Sequence, residues 1–262
     1  MIPKKIHYCW FGNNPLPEYS KKCIDSWKKN LPDYEIIEWN ETNYDVHKIP
    51  YIAQAYDKKK YAFVSDYVRF DVLYENGGLY FDTDVEVIKN LDEICSKGNW
   101  LGIEDPGLIN TGLGVGAEAG NLKIKEVLDS YASSSFINED GSLNLKTVVD
   151  RVSEIFVADG FVCEDRTQKV SDFMIYSTEF FCPKHPITGI LNITPNTCTI
   201  HHYDASWLDV WEKQVKLWKN DFFNKKGDSF INRKIALIYH AFAAIKNLGF
   251  YKGLIYILNK IK

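Results

Sequence analysis

Residues 61–87 read YAFVSDYVRFDVLYENGGLYFDTDVEV, and the hydrophobic period changes within them. Phe63, Tyr67, Phe70 and Tyr74 recur at i, i+4, i+7 and i+11, the spacing of one helix face, which predicts a helix over 61–76. Gly77 stands just past its end, where a residue without Cβ can close the last turn. Leu79–Phe81 follow as a short apolar strand, and Val85–Ile88 as another. Between the two stand Asp82 and Asp84, two carboxylates on a run that otherwise looks buried.

Working outward, the start of the chain repeats the theme. Lys5–Trp10 predicts a strand. Residues 18–30 (EYSKKCIDSWKKN) have helical spacing and stop at Pro32-Asp33, and Tyr34–Trp39 is a second strand. Strand, helix, strand in sequence points to a layered α/β fold. Trp100–Glu104 is a further strand, 107–120 (GLINTGLGVGAEAG) a glycine-laced loop, and 121–131 and 143–156 helices. Residues 157–200 alternate short β-like runs with turns. From Ser206 the pattern is helical again, with Trp207, Leu208, Trp211, Val215 and Trp218 along one face. Residues 233–262 form a basic, apolar helical pair broken near Gly249. The organisation expected is a first domain over 1–207 and a helical C-terminal extension over 208–262. That extension is expected to pack on the core or touch a membrane.

The composition narrows the classes. A chain of 262 residues, 45% hydrophobic, can build a full core. A net charge of −4 does not favour a nucleic-acid binder. From Lys225 to Lys262, however, eight Lys+Arg face one acidic residue, Asp228, so this tail carries +7. The six cysteines are scattered with no CxxC pair, and MIPKKIHYCWFG is too short and polar for a secretory signal. Reduced thiols and a cytoplasmic protein are expected. No window is apolar enough to span a bilayer.

Two aspartates at i and i+2 on an extended chain point to the same side, roughly 6–7 Å apart by strand rise. Paired hard oxygen ligands suit Mg²⁺ or Mn²⁺, whose remaining positions a diphosphate can fill. The ion then acts as a Lewis acid towards the charge on a leaving nucleotide diphosphate. Such triplets also arise in ordinary surface turns, so the surroundings matter. Asp66 and Arg69 fall at i and i+3 on the preceding helix, amid apolar and aromatic neighbours. A surface ion pair is the bland reading. A partly buried one is costly without a task, and a carboxylate beside a guanidinium matches vicinal sugar hydroxyls. In the late segment TIHHYDASW (199–207), a histidine at a strand end can supply a third metal ligand. His7, His47, His185 and His240 read as structural.

Taken in order, IPKKIHYCWFG, CIDSW, PDYEIIEW, SDYVRFDVLYENGGLYFDTDVEV and HHYDASW resemble the family 32 glycosyltransferases. This is the group described by a sugar-binding region containing a DXD motif. It includes bacterial capsular and exopolysaccharide transferases and eukaryotic initiating mannosyltransferases, and it is distantly similar to the clostridial glucosylating toxins. The motifs cover roughly residues 2–110 and 199–207. The resemblance implies a GT-A fold (a Rossmann-like mixed sheet flanked by helices), a divalent metal (Mn²⁺ or Mg²⁺) and retention of anomeric configuration. The implied donor is a nucleotide sugar, UDP ahead of GDP, supplying a hexose or N-acetylhexosamine. The implied acceptor is an oligosaccharide, lipid-linked in one version, in capsule or other surface-glycan synthesis. Contact with the inner face of the cell membrane would run through the basic C-terminal helices.

Carried over residue by residue, Trp10 would stack on the base. Ser65 and Asp82 would lie near the ribose, with Asp82 also reaching the metal. Asp84 would be the principal metal ligand and His201 the third, with His202 as its rival. Asp66 and Arg69 would grip the donor sugar, which Asn110 would also approach. Ser206 and Trp207 would close over the diphosphate. The GLGVG run would let backbone come close to a ligand, and it lacks the GK[ST] ending of a P-loop. A Thr-Gly-Pro carried by many relatives is not found around 143–156. The competing classes are a glycoside hydrolase, which needs two carboxylates flanking a bond, and a non-catalytic, metal-dependent carbohydrate-binding protein.

Overall fold

The computed structural model describes residues 1–186, 188–204, 210–227 and 229–261. Among them are ten strands and ten helices. The chain divides into two compact units. The first comprises Met1–Pro183 with Asn192–Tyr203, the second Lys184–Leu191 with Asp204–Lys262.

The first unit is a mixed α/β sheet flanked by helices. In chain order it holds β1 (Lys5–Cys9), α1 (Glu18–Asn30), β2 (Glu35–Trp39), α2 (Pro50–Asp57), α3 (Tyr61–Asn76), β3 (Gly78–Tyr80) and β4 (Val85–Val87). Then come α4 (Asp92–Ser96), β5 (Asn99–Glu104), β6 (Leu108–Ile109), β7 (Val115–Ala117), α5 (Leu122–Ala132) and α6 (Val148–Ala158). The unit closes with β8 (Gln168–Val170), β9 (Phe173–Tyr176), α7 (Thr178–Phe181) and β10 (Thr199–His201). The main sheet runs β2-β1-β3-β7-β5-β9-β8, with β6 on β5. β1 lies parallel to both β2 and β3, β5 is parallel to β9, and the other pairs are antiparallel. β4 leaves this sheet and pairs only with β10 in a separate two-stranded ribbon.

Alternation along the strands sorts the core into two layers. Ile6, Tyr8, Leu79 and Phe81 face α1, whose Trp27 is fully buried, whereas Cys9 and Tyr80 face α3. The helix over 61–76 is present residue for residue, and Gly77 follows it at φ 63°. A Cβ at Gly77 would lie 2.7 Å from the Ala119 backbone nitrogen, so the cap also needs the space. The buried face of α3 is wider than the aromatic stripe and takes in Arg69 and Asp71.

Three expectations need correction. The loop over 107–120 contains two strands, β6 and β7. The short β7 can run between β3 and β5 because its neighbours' rings occupy the space left open at Gly116 and at Gly114 just before it. A Cβ on Gly116 would sit 2.0 Å from Trp100 Nε1, and one on Gly114 2.8 Å from the Phe81 ring. Those glycines therefore admit the protein's own aromatic rings. The helix expected over 143–156 begins only at Val148, because the Thr147 side chain accepts from the Asp150 N–H and caps it, while Leu143 bridges Ile137. Asp82–Asp84 form a turn, closed by the Val85 N–H on the Asp82 carbonyl at 3.1 Å, where extended chain was expected.

In the second unit α8 (Val210–Lys226), α9 (Phe230–Leu248) and α10 (Phe250–Ile261) form the helical extension, with Gly249 at φ 82° between the last two. Val215 is buried and Trp218 stacks on Tyr239 at 3.8 Å between ring centroids. Trp207 and Leu208 lie outside the described residues.

Candidate active site

The parallel strands β1 and β3 lie side by side, and the chain leaves β1 for β2 on the opposite side. A crevice opens at the carboxyl ends of strands where the order reverses in this way, and ligands bind there in open α/β sheets. Trp10 follows β1 and Asp82 follows β3, so both sit at that edge.

The turn carrying the aspartates is held from three sides. The Asp82 N–H reaches the Gly112 carbonyl at 3.2 Å. On β4, the edge not taken by β10 is satisfied by side chains of α1. Trp27 Nε1 donates to the Val85 carbonyl at 2.7 Å, Ser26 Oγ accepts from the Val87 N–H, and Asn30 Nδ2 donates to the Val87 carbonyl. On the other edge β10 pairs His201 with Val85, and the His202 N–H donates to the Asp84 carbonyl at 3.0 Å. This register brings His201 Nε2 to 3.0 Å from Asp84 Oδ1. His202, one residue on, turns the other way to Glu86 at 2.8 Å and packs edge-on against Tyr19.

Asp82, Asp84 and His201 each offer one ligand atom, and these atoms lie within 4.8 Å of one another. The donor set is two carboxylates and one imidazole, which suits a Mn²⁺- or Mg²⁺-class ion with positions left for other oxygens. The second ring nitrogen, His201 Nδ1, is buried with no hydrogen-bond partner among the described residues. Such an orphaned polar atom fits a site built for a ligand. Burial disfavours charge on this ring, but the Asp84 carboxylate beside it, with Asp82 and Glu104 further off, raises its pKa overall.

On α3, Arg69 is the hub. Its NH2 group donates to Asp66 Oδ1 at 2.8 Å and stands 3.3 Å from Asp82 Oδ1. Its NH1 group donates to Thr111 Oγ1 at 3.0 Å and its Nε to the Ser65 carbonyl at 3.2 Å. The guanidinium also lies over the Tyr80 ring, 4.8 Å from its centroid, and Tyr80 Oη donates to Asp82 Oδ1 at 3.0 Å. The Arg69 and Asp66 side chains are only 4% and 13% exposed. Removing either would leave the other charged and desolvated. Burial raises the Asp66 pKa to about 6; Arg69 pulls it down and Asp82 pushes it up.

Asn110 is buried beside the same carboxylates. Its Nδ2 donates to Glu104 Oε2 at 2.8 Å and its Oδ1 accepts from the Gly112 N–H at 2.7 Å. Glu104 also accepts from Tyr203 Oη at 3.0 Å. The Ser65 hydroxyl donates back to the Tyr61 carbonyl. The half-buried Trp10 ring donates its Nε1–H to the Asn14 carbonyl at 2.6 Å. Ser206 and Trp207 lie outside the described residues. His7 is structural, as its residue type suggested. It is fully buried between the Gly77 carbonyl and the Trp39 indole N–H.

Sequence reasoning passed over Tyr80, Thr111, Glu104 and Tyr203. Tyr80 carried a signal, since it shares a strand face with Asp82 at i+2. Thr111, Glu104 and Tyr203 reach the site through chain crossings that no local spacing marks.

Known proteins agree in part. The family model described as "Glycosyltransferase sugar-binding region containing DXD motif" matches residues 17–101. That segment holds α1, α3, the Asp82–Asp84 turn and the start of β5. Inositol phosphoceramide mannosyltransferase 3 of Schizosaccharomyces pombe is 33% identical over 122 residues. The match covers 43% of this chain and 33% of that protein, so the chain spans about a third of the length of this curated relative. An uncharacterized glycosyltransferase of Acanthamoeba polyphaga mimivirus is 23% identical over 235 residues, 86% of this chain and 90% of that protein. Among solved structures, the PaToxG glycosyltransferase is similar at a TM-score of 0.47 and 22% identity, covering 61% of this chain and 69% of that one.

Proposed function

We propose that this protein is a metal-dependent, retaining glycosyltransferase of family 32 with a GT-A fold. Its donor is a nucleotide diphosphate sugar, UDP ahead of GDP, carrying a hexose or N-acetylhexosamine. Its acceptor is a carbohydrate, lipid-linked at the inner face of the cell membrane, in capsule or other surface-glycan synthesis. The observation that carries the reading is the Asp82, Asp84 and His201 cluster at the carboxyl edge of parallel strands, with the Asp66–Arg69 pair against it. The match of the DXD family model across the same residues supports it.

The ion, held by Asp82, Asp84 and His201, supplies Lewis-acid stabilisation of negative charge on the diphosphate. The residues around it do the positioning. Arg69 holds Asp82 and Asp66 in one arrangement, so the metal side and the sugar side of the pocket are tied to one guanidinium. Asp66, as carboxylate, accepts hydrogen bonds from donor-sugar hydroxyls, and Asn110 presents its remaining amide hydrogen to the same sugar. Trp10 stacks on the base, Ser65 meets the ribose, and Ser206 and Trp207 close over the diphosphate. The acceptor hydroxyl attacks C1 from the face the leaving group departs as the bond from C1 to the diphosphate oxygen breaks, and the departing phosphate oxygen takes the hydroxyl proton. The compartment that goes with this reading is the cytoplasm, where nucleotide sugars are made.

The test is a screen of UDP- and GDP-sugars for hydrolysis with and without Mn²⁺. Activity that requires a nucleotide sugar and vanishes with EDTA or with Asp84→Ala supports the reading. Full activity of Asp84→Ala at saturating donor, or activity in EDTA, would remove the metal from the mechanism. Cleavage of simple glycosides would favour the hydrolase class, and sugar binding with no turnover of any donor would favour a carbohydrate-binding protein.

A further inference from the structure

The helical unit carries a surface that the transfer reading does not use. On α9, Ile231, Ile235, Ile238 and Phe242 fall at i, i+4, i+7 and i+11, one helix face. All four are exposed, with Ile231 at 69%, Ile238 at 56% and Phe242 at 70%. The residues this helix buries are small, Ala236 and Ala244. The helix thus turns its large apolar side chains outward, the reverse of a helix on a water-facing surface. The stripe is about 16 Å long at helical rise, and exposed Phe250 and Leu254 of α10 add to the apolar surface.

Basic side chains accompany it. Lys234 flanks the stripe on one side and Lys246, a turn beyond its end, on the other, within the tail whose eight basic residues outnumber its single acidic one. Among the described residues, no helix is long and apolar enough to cross a membrane. An apolar face with a basic rim that does not span is the chemistry of a helix lying in a lipid interface.

We propose that this face of α9 docks on an anionic lipid surface. Charge complementarity selects the occupant. A second copy of the chain would bring another basic face against this one, and like charges repel. A negatively charged bilayer offers attraction to the rim and an apolar layer for the four large side chains. The proposal deepens the reading of a lipid-linked acceptor, but its test needs no sugar transfer.

The full chain is floated with vesicles of phosphatidylcholine alone and of phosphatidylcholine with phosphatidylglycerol, at low and high salt. Binding to the anionic vesicles, weakened by salt, is expected. The variant Ile235→Ser/Ile238→Ser/Phe242→Ser should lower partition about a thousandfold, since each buried apolar side chain is worth about a factor of ten. Lys234→Glu/Lys246→Glu should lower it about tenfold or more on anionic vesicles. Circular dichroism melts check that both variants stay folded, and the charge variant serves if the serine variant does not. Failure of the folded wild-type chain to float would overturn the proposal, as would undiminished binding by the folded variants. A concentration-dependent dimer in light scattering, abolished by the serine substitutions, would overturn it in favour of self-association.

Discussion

Gly112→Ala tests whether the Asp82 carboxylate must stand where the structure has it. A Cβ at residue 112 would lie 2.2 Å from Asp82 Oδ2 and 3.1 Å from Asn110 Oδ1. The backbone there cannot slide away easily, because the Gly112 N–H is bonded to Asn110 and its carbonyl to the Asp82 N–H. The carboxylate must therefore retreat by about 1 Å to reach ordinary contact. Retreat breaks its bonds through Oδ1 to Tyr80 and Arg69. Moving one ligand of the cluster by that much should weaken Mn²⁺ binding about tenfold to a hundredfold. That is about 1.4–2.8 kcal/mol. Isothermal titration of Mn²⁺ into the full chain measures it without a donor. The control is the same substitution in an Asp82→Ala background, where the methyl meets no carboxylate. There Gly112→Ala should change affinity by no more than about twofold. Unchanged Mn²⁺ affinity in the single variant, or simple additivity of the two substitutions, would refute the steric reasoning.

Two further outcomes follow from the same geometry. The folded Asp66 carboxyl titrates at about 6 against its ordinary 3.8, so it takes up a proton as pH falls through 6. Its raised value means that charged Asp66 strains the fold above pH 6 and that the strain is relieved between 6 and 3.8. Donor turnover that needs the carboxylate should fall below pH 6, whereas Asp66→Asn should be slower and lack that acid limb; an identical limb in both would clear Asp66. Trp27→Phe keeps the ring packing but leaves the buried Val85 carbonyl without its donor. It should cost about 1–3 kcal/mol in urea unfolding, and an unchanged midpoint would show that the indole N–H does not tether β4.

Local patterns were legible. The aromatic stripe from Phe63 to Tyr74 marked α3 at both ends, because a buried helix face needs apolar residues at that period whatever it packs against. Asp66, Arg69, Asp82 and Asp84 stood out because charges are costly on segments so apolar. The strands β6 and β7 were hidden for the opposite reason. Gly114 and Gly116 look like loop residues, and only the Trp100 and Phe81 rings above them explain why a strand lacks side chains. The start of α6 was missed because the apolar spacing of Leu143 and Leu145 continues into it, while the cap at Thr147 marks the true first turn.

The sequence by itself determined that the chain has α/β layers, that two carboxylates end a buried run, and that a basic apolar tail follows. It put His201 ahead of His202 only through the family resemblance, since neighbours in a chain differ in no local property. The pairing of β10 with β4 decided between them. A strand points successive side chains to opposite faces, so His202 meets Glu86 while His201 turns to the other face, where the turn before β4 has carried Asp84. The tertiary structure alone also set Thr111 against Arg69 and Tyr203 against Glu104 around the site. Those contacts join residues separated by tens of positions, and only the order of strands in the sheet brings them to one edge.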